Sequence, residues 1–380
     1  MRTGRGGPLL GATALGAGVA ALLWNPGAAL AQAPAQAPLQ APVQMPATAP
    51  SRAAILTTEH FALFSDRDTN LNDALVAAGV ARKRGKPELF HSGEETACFG
   101  ALPQSTRAAW EKAVDYYAEV VSPGGWTGRP QHLIRVQLAG FDEELKDAAD
   151  RELVDIAAGF RAAATPAYER CRWVAQEEKN RRFVADLEPR LAKDEQRIAA
   201  RLEALYEKRW AGLPIPVDVV ETADWSGANS ILRDPVGGHL LISTSYQGPA
   251  ALEVVFHEAS HLLMARNDPV QRALESAATK AHVRLPDDLW HVVLFFTTGE
   301  AVRRILEDEG LQGYTPMVYG IFERGGWKED RAPLESAWRP YVAGERTLDE
   351  AAAQLVEALR NAAPASPEGA KKKDAAKESR

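Results

Sequence analysis

Apolar positions along this chain follow two different periods, with stretches between them that follow none. His60–Ser65 and Leu133–Leu138 are short and rich in aromatic or branched side chains, which predicts strands, and Ser105–Val121 between them predicts a helix. From Asp142 to Ala211 the chain is charged, rich in Ala and nearly free of Gly, and Leu191, Ile198, Leu202 and Leu205 recur at helical spacing. That pattern predicts long amphipathic helices pairing on one seam, divided by Pro166 and Pro189 into a hairpin or small bundle. Val217–Thr222 and His239–Thr244 return to strand character, with a turn expected at Gly237-Gly238. A helix is expected from Pro249 to about Asn267-Asp268-Pro269, another over Asp287–Glu309, and a last one over Leu348–Leu359, where Thr347 and Glu350 make a capping box. No internal repeat is evident.

The order of elements predicts an α+β fold with a long helical segment upstream of the last strands and helices. The 380 residues are 46% hydrophobic and 25% charged, enough to bury a sizeable core. A net charge of −7 gives no electrostatic support to nucleic-acid binding. Arg2 and Arg5 followed by the uncharged run Leu9–Trp24 and by Ala29-Leu30-Ala31 read as an export signal over 1–31, so the mature chain is expected to be periplasmic or secreted, with no stable membrane span. Residues 32–51, with prolines every fourth position among Ala and Gln, read as a linker, and 363–380 as a charged disordered tail. Between them, 52–213 is read as an N-terminal part with strands and the helical segment, and 214–362 as a second part, expected to be catalytic on the strength of the motif it carries, His257-Glu258-Ala259-Ser260-His261. The two cysteines, Cys98 and Cys171, are expected to form one disulfide in an exported chain.

One segment carries chemistry: His257-Glu258-Ala259-Ser260-His261, an HExxH motif in an apolar helical pattern. Residues four apart stack on one helix face, so two imidazoles there can grip one Zn²⁺ ion, and Glu258 beside them can serve a water as general base.

The motif resembles that of the zincin metallopeptidases, over about residues 215–310. The resemblance implies a small mixed sheet packed on the HExxH helix, and an exported zinc-dependent hydrolase acting on peptide or protein substrates, envelope material included. Met264 and Asn267 stand where a metzincin would need Gly and His, which moves the third ligand downstream. Thr298-Gly299-Glu300-Ala301-Val302-Arg303 resembles the second-helix element of gluzincins, and this implies Glu300 as third ligand. His291 is the alternative. Nine residues at about 100° each place the two on opposite sides of one helix, so only one can face the metal. His239 on the preceding strand is a substrate-contact candidate, and Tyr314 and Tyr319 are candidates for an oxyanion contact. A non-catalytic zincin-fold binding or scaffold protein of the envelope is the alternative function; an intact Glu258 weighs against it, since a structural site has no use for that carboxylate.

Overall fold

Branched and aromatic runs build a five-stranded sheet: β1 (Leu56–Thr57), β2 (Phe61–Phe64), β3 (Ile215–Val220), β4 (Ala228–Arg233) and β5 (Gly237–Ser243). The order is β1-β2-β3-β5-β4, with β2, β3 and β5 parallel and the outer strands β1 and β4 antiparallel to their neighbours. The protein is therefore α+β with a small mixed sheet, as the element order predicts. The computed structural model describes residues 53–86, 93–223, 227–233, 236–264 and 267–362, all of which belong to one compact unit. The expected export signal (1–31), linker (32–51) and tail (363–380) lie outside the described residues. Among the described residues, no helix is long and apolar enough to cross a membrane.

Between β2 and β3 run α1 (Arg67–Lys83), α2 (Gly93–Ala101), α3 (Gln104–Tyr116), α4 (Arg129–Leu138), α5 (Ala148–Tyr168) and α6 (Val174–Tyr206). After β5 come α7 (Gly248–Ser260), α8 (Pro269–Ala281), α9 (Leu289–Asp308), α10 (Met317–Glu323) and a C-terminal helix, Leu348–Ala362. Strand pleating sends alternate side chains to opposite faces. Leu240 and Ile242 of β5 join Val217, Val219 and Phe61 in a core closed by α6, α7, α9 and the C-terminal helix. Leu241, with Val220 and Ile231, joins a second core made with α1, α3, α4 and α5.

Four sequence expectations are corrected. Leu133–Leu138 is not a strand but most of α4: six residues are too few to separate a period of two from one of 3.6, and Gly128 and Pro130 at the helix start decide it. Pro166 and Pro189 do not divide the helical segment into a hairpin. Both lie inside helices, and α5 passes through a π-turn at Glu169–Trp173 into α6 with right-handed dihedrals kept at the junctions. A π-turn is a known place for a helix to absorb such a disturbance. Gly237 and Gly238 open β5 rather than making a turn. Gly238 is needed for close approach, because a Cβ there would lie 2.9 Å from the Ile231 carbonyl oxygen and 3.1 Å from Leu262 Cδ2. The helix from Pro249 stops at Ser260, well before Asn267.

Other expectations are met. Cys98 on α2 and Cys171 in the π-turn are disulfide-bonded, with Cα atoms 5.6 Å apart. The Thr347 hydroxyl accepts from the Glu350 amide, while the Glu350 carboxylate accepts from the Thr347 amide at 2.9 Å, completing the capping box.

Candidate metal centre

Pro249 at the first position starts α7, and an almost wholly buried apolar run carries it to Ser260. His261 follows with right-handed dihedrals (φ −58°, ψ −27°), so the four-residue stacking of His257 and His261 survives the end of the hydrogen-bonded helix. The rotation of α9 against α7 is fixed by hydroxyls: Thr298 Oγ1 donates to Ser260 Oγ at 3.0 Å, Ser260 Oγ donates to the Phe256 carbonyl at 2.7 Å, and the Tyr206 hydroxyl lies 3.3 Å from Thr298. His291 stands seven residues before Thr298, about two full turns, and therefore on the face that meets α7.

The result is a cluster of three imidazoles. One ring nitrogen from each of His257, His261 and His291 lies within 4.8 Å of the others, and together they can hold a metal ion. Ring centroids are 5.2 Å apart for His257 and His261, 5.5 Å for His257 and His291, and 5.3 Å for His261 and His291. Phe295 lies tilted with its ring centre 3.7 Å from that of His257, Trp290 lies 5.7 Å from His261, and Trp327 meets His291 edge-on at 5.4 Å. Trp327 is tied down by its indole N–H, which donates to Asp288 at 2.5 Å.

Burial holds all three histidines neutral. His257 is driven well below the ordinary imidazole range by loss of solvent and then by its two neighbours. The same cause brings His261 to about 3 and His291 to about 4, with Asp288 opposing at His291. His257 Nδ1 is buried without a hydrogen-bond partner among the described residues. Neutral imidazoles with an unclaimed ring nitrogen suit a cation, which needs the lone pair and not the proton. His261 and His291 remain partly exposed, so the cluster is reachable from outside.

Glu300, expected as third ligand, is elsewhere. Its carboxylate accepts from Arg303 Nη2 at 2.6 Å and from the Tyr319 hydroxyl at 2.9 Å, and Arg339 Nε lies 3.7 Å away. The helix rotation that brings Thr298 and His291 to α7 turns Glu300 into this cationic pocket. Tyr314 is likewise committed: its hydroxyl donates to Glu253 at 2.5 Å. Neither tyrosine hydroxyl is among the contacts of the histidine cluster, and burial pushes the Tyr319 phenol up to about 12. His239 is a fully packed histidine on the opposite face of the sheet from α7. Its Nε2 pairs with Asp218 at 3.0 Å, and Asp218 also accepts from Thr69 Oγ1 at 2.8 Å. Glu258 is buried beside His257 on α7.

Several residues around the site escaped sequence reasoning. Glu253, one turn before His257, is completely buried; burial lifts it to about 7, and Tyr314 and the Met317 amide pull against that rise. A charged residue four before the first histidine, on an otherwise apolar run, is the signal that was available. Gly299 makes room for it, since a Cβ there would lie 3.0 Å from Glu253 Oε1 and 2.7 Å from Pro316 Cβ. His291, Phe295 and Thr298 form an i, i+4, i+7 stripe that, read as the inner face of α9, points away from Glu300. Comparison of the chain with family models, with curated proteins and with solved structures returns no match.

Proposed function

We propose that this chain is an exported zinc-dependent hydrolase of the zincin type, acting as a peptidase on peptide or protein substrates, cell-envelope material included. The observation that carries the reading is the convergence of His257, His261 and His291, one buried and two half-buried imidazoles held neutral by loss of solvent, at an HExxH motif. The donor set fits zinc, which takes imidazole nitrogens at about 2.0–2.1 Å and in catalytic sites uses three protein ligands with a fourth position open. In this reading the third ligand is His291 and not Glu300, so the ligand set departs from the gluzincin pattern. Bound there, zinc would lower the pKa of a water toward about 7 and polarise a carbonyl.

The chain's own residues supply the rest. His257, His261 and His291 each give one ring nitrogen, and Trp290, Phe295 and Trp327 wall the cluster with apolar surface that strengthens electrostatic contacts inside it. Glu258 takes the proton from the attacking water and returns it to the leaving amine. β4 pairs only with β5 among the described residues, so its outer edge can accept an extended peptide by strand addition. Export is supported by the basic start and uncharged run at the N-terminus and by the Cys98–Cys171 bridge, which suits an oxidising compartment.

The test is metal analysis of the purified protein with cleavage of a peptide library, for wild type and Glu258→Gln. One zinc per chain in both, with hydrolysis reduced by about 10²–10⁴ in the variant, is expected. Undiminished cleavage by Glu258→Gln would remove the mechanism, and zinc binding without turnover in the wild type would favour a scaffold role.

A further inference from the structure

A groove of about 580 Å³, lined by none of the three histidines, runs between α6, α9 and Val342-Ala343. Arg197, Ala200 and Arg201 line it from α6 at i, i+3, i+4, and Ala301, Arg304 and Asp308 line it from α9 at i, i+3, i+7. Each helix thus brings arginine and alanine side chains to the lining.

The charges in this groove are unequally satisfied. Arg197 is neutralised at one end, by Glu309 at 2.6 Å and Asp308 at 3.6 Å. Arg201 gives one N–H to the Val342 carbonyl at 2.6 Å and meets no carboxylate among the described residues. Arg304 makes no hydrogen bond or ion pair among the described residues, although its Nε is buried. A buried guanidinium donor without an acceptor is unusual, because such groups nearly always find one. Three guanidinium groups therefore line one ligand-sized groove with a single carboxylate, Asp308, which sits beside Arg197, so that Arg201 and Arg304 meet none among the described residues. A guanidinium fork matches the oxygens of carboxylate and phosphate, and the alanines of the lining leave room for an organic body.

We infer that this groove binds a small organic anion through a carboxylate or phosphate group held by Arg201 and Arg304. The site is independent of the metal centre. Arg304 is the decisive residue, since replacing it removes no intramolecular bond among the described residues and should leave the melting temperature of the free protein unchanged.

The experiment is calorimetric titration of the full chain with inorganic phosphate and, separately, with succinate, at constant ionic strength, for wild type, Arg304→Gln, Arg201→Gln and the exposed-site control Arg284→Gln. We expect saturable one-to-one binding by at least one probe, weakened about ten- to hundredfold in Arg304→Gln and Arg201→Gln and unchanged in Arg284→Gln, the loss expected for one charge-assisted fork. Binding of phosphate alone identifies a phosphorylated ligand, and binding of succinate alone a carboxylic acid. Absence of binding by both probes, equal affinity in Arg304→Gln and wild type, or an equal loss in Arg284→Gln would overturn the inference.

Discussion

The two faces of the sheet each bury histidine, and they treat it in opposite ways. On the α1 and α4 face, His239 is matched to Asp218, which is matched in turn to Thr69: a closed set of partners. On the α7 and α9 face, His257, His261 and His291 meet chiefly each other and aromatic rings, and His257 Nδ1 has no hydrogen-bond partner among the described residues. A buried polar group without a partner is costly, so the first arrangement is complete in itself while the second gains from a cation. The same residue type in strand or helix is thus distinguished by its partners and not by its burial.

The strongest way to break this contrast is to remove single imidazoles. His291→Ala or His257→Ala should weaken zinc binding by about 10²–10³-fold or more, one ligand's share of the roughly 10–16 kcal/mol that structural zinc sites supply. Glu300→Ala should keep the metal and instead lose roughly 1–3 kcal/mol of stability, because Tyr319 and Arg303 lose a hydrogen-bond acceptor while Arg303 keeps Glu307. Metal titration and denaturant melts on the three variants decide between them; zinc lost in Glu300→Ala and kept in His291→Ala would reverse the assignment. On the other face, His239→Ala should bind zinc normally while destabilising by roughly 3–5 kcal/mol, through the buried Asp218 carboxylate left behind. A loss of zinc there would erase the distinction between the faces.

The smallest effect is with pH. In metal-free protein His291 titrates near 4, against an ordinary 6.5, because burial disfavours its charged form. The unfolded chain then binds more protons than the folded one between those values, so the histidine's contribution is present above 6.5 and is lost as pH falls toward 4, by up to about 1.4 kcal/mol per unit. Buried Glu253, raised to about 7, works in the opposite direction, so the measurement is the stability difference between wild type and His291→Asn across that range. A pH-independent difference would mean that His291 is not buried as a neutral ring.

Sequence alone made much of the site legible. The HExxH motif on an apolar helix, the opposition of His291 and Glu300, the disulfide and the final capping box are local patterns whose geometry follows from helical periodicity or side-chain reach. The choice between His291 and Glu300 was not local. It depends on how α9 is rotated against α7, and that is set by Ser260, Thr298 and Tyr206, residues 38 and 92 positions apart in their contacts. The partner of His239 was hidden for the same reason, since Asp218 lies on a neighbouring strand. Leu133–Leu138 failed differently: its apolar pattern suits a strand or a helix, and only the Gly128 and Pro130 start breaks the tie.

The helical run from α5 through the π-turn into α6 has a consequence for how the chain can be handled. Its first portion, with Val154, Ala157, Ala164 and Tyr168, sits in the core on one side of the sheet, and its last portion, with Leu187, Leu191, Ile198 and Leu202, sits in the core around the histidines. A cut near residue 213, where the catalytic part was expected to begin, would strip the core around the histidines of an entire wall together with β2. Residues 214–362 expressed alone should therefore behave as a collapsed, protease-sensitive fragment, and the two halves of the protein should melt in one transition because a single rod is a structural member of both.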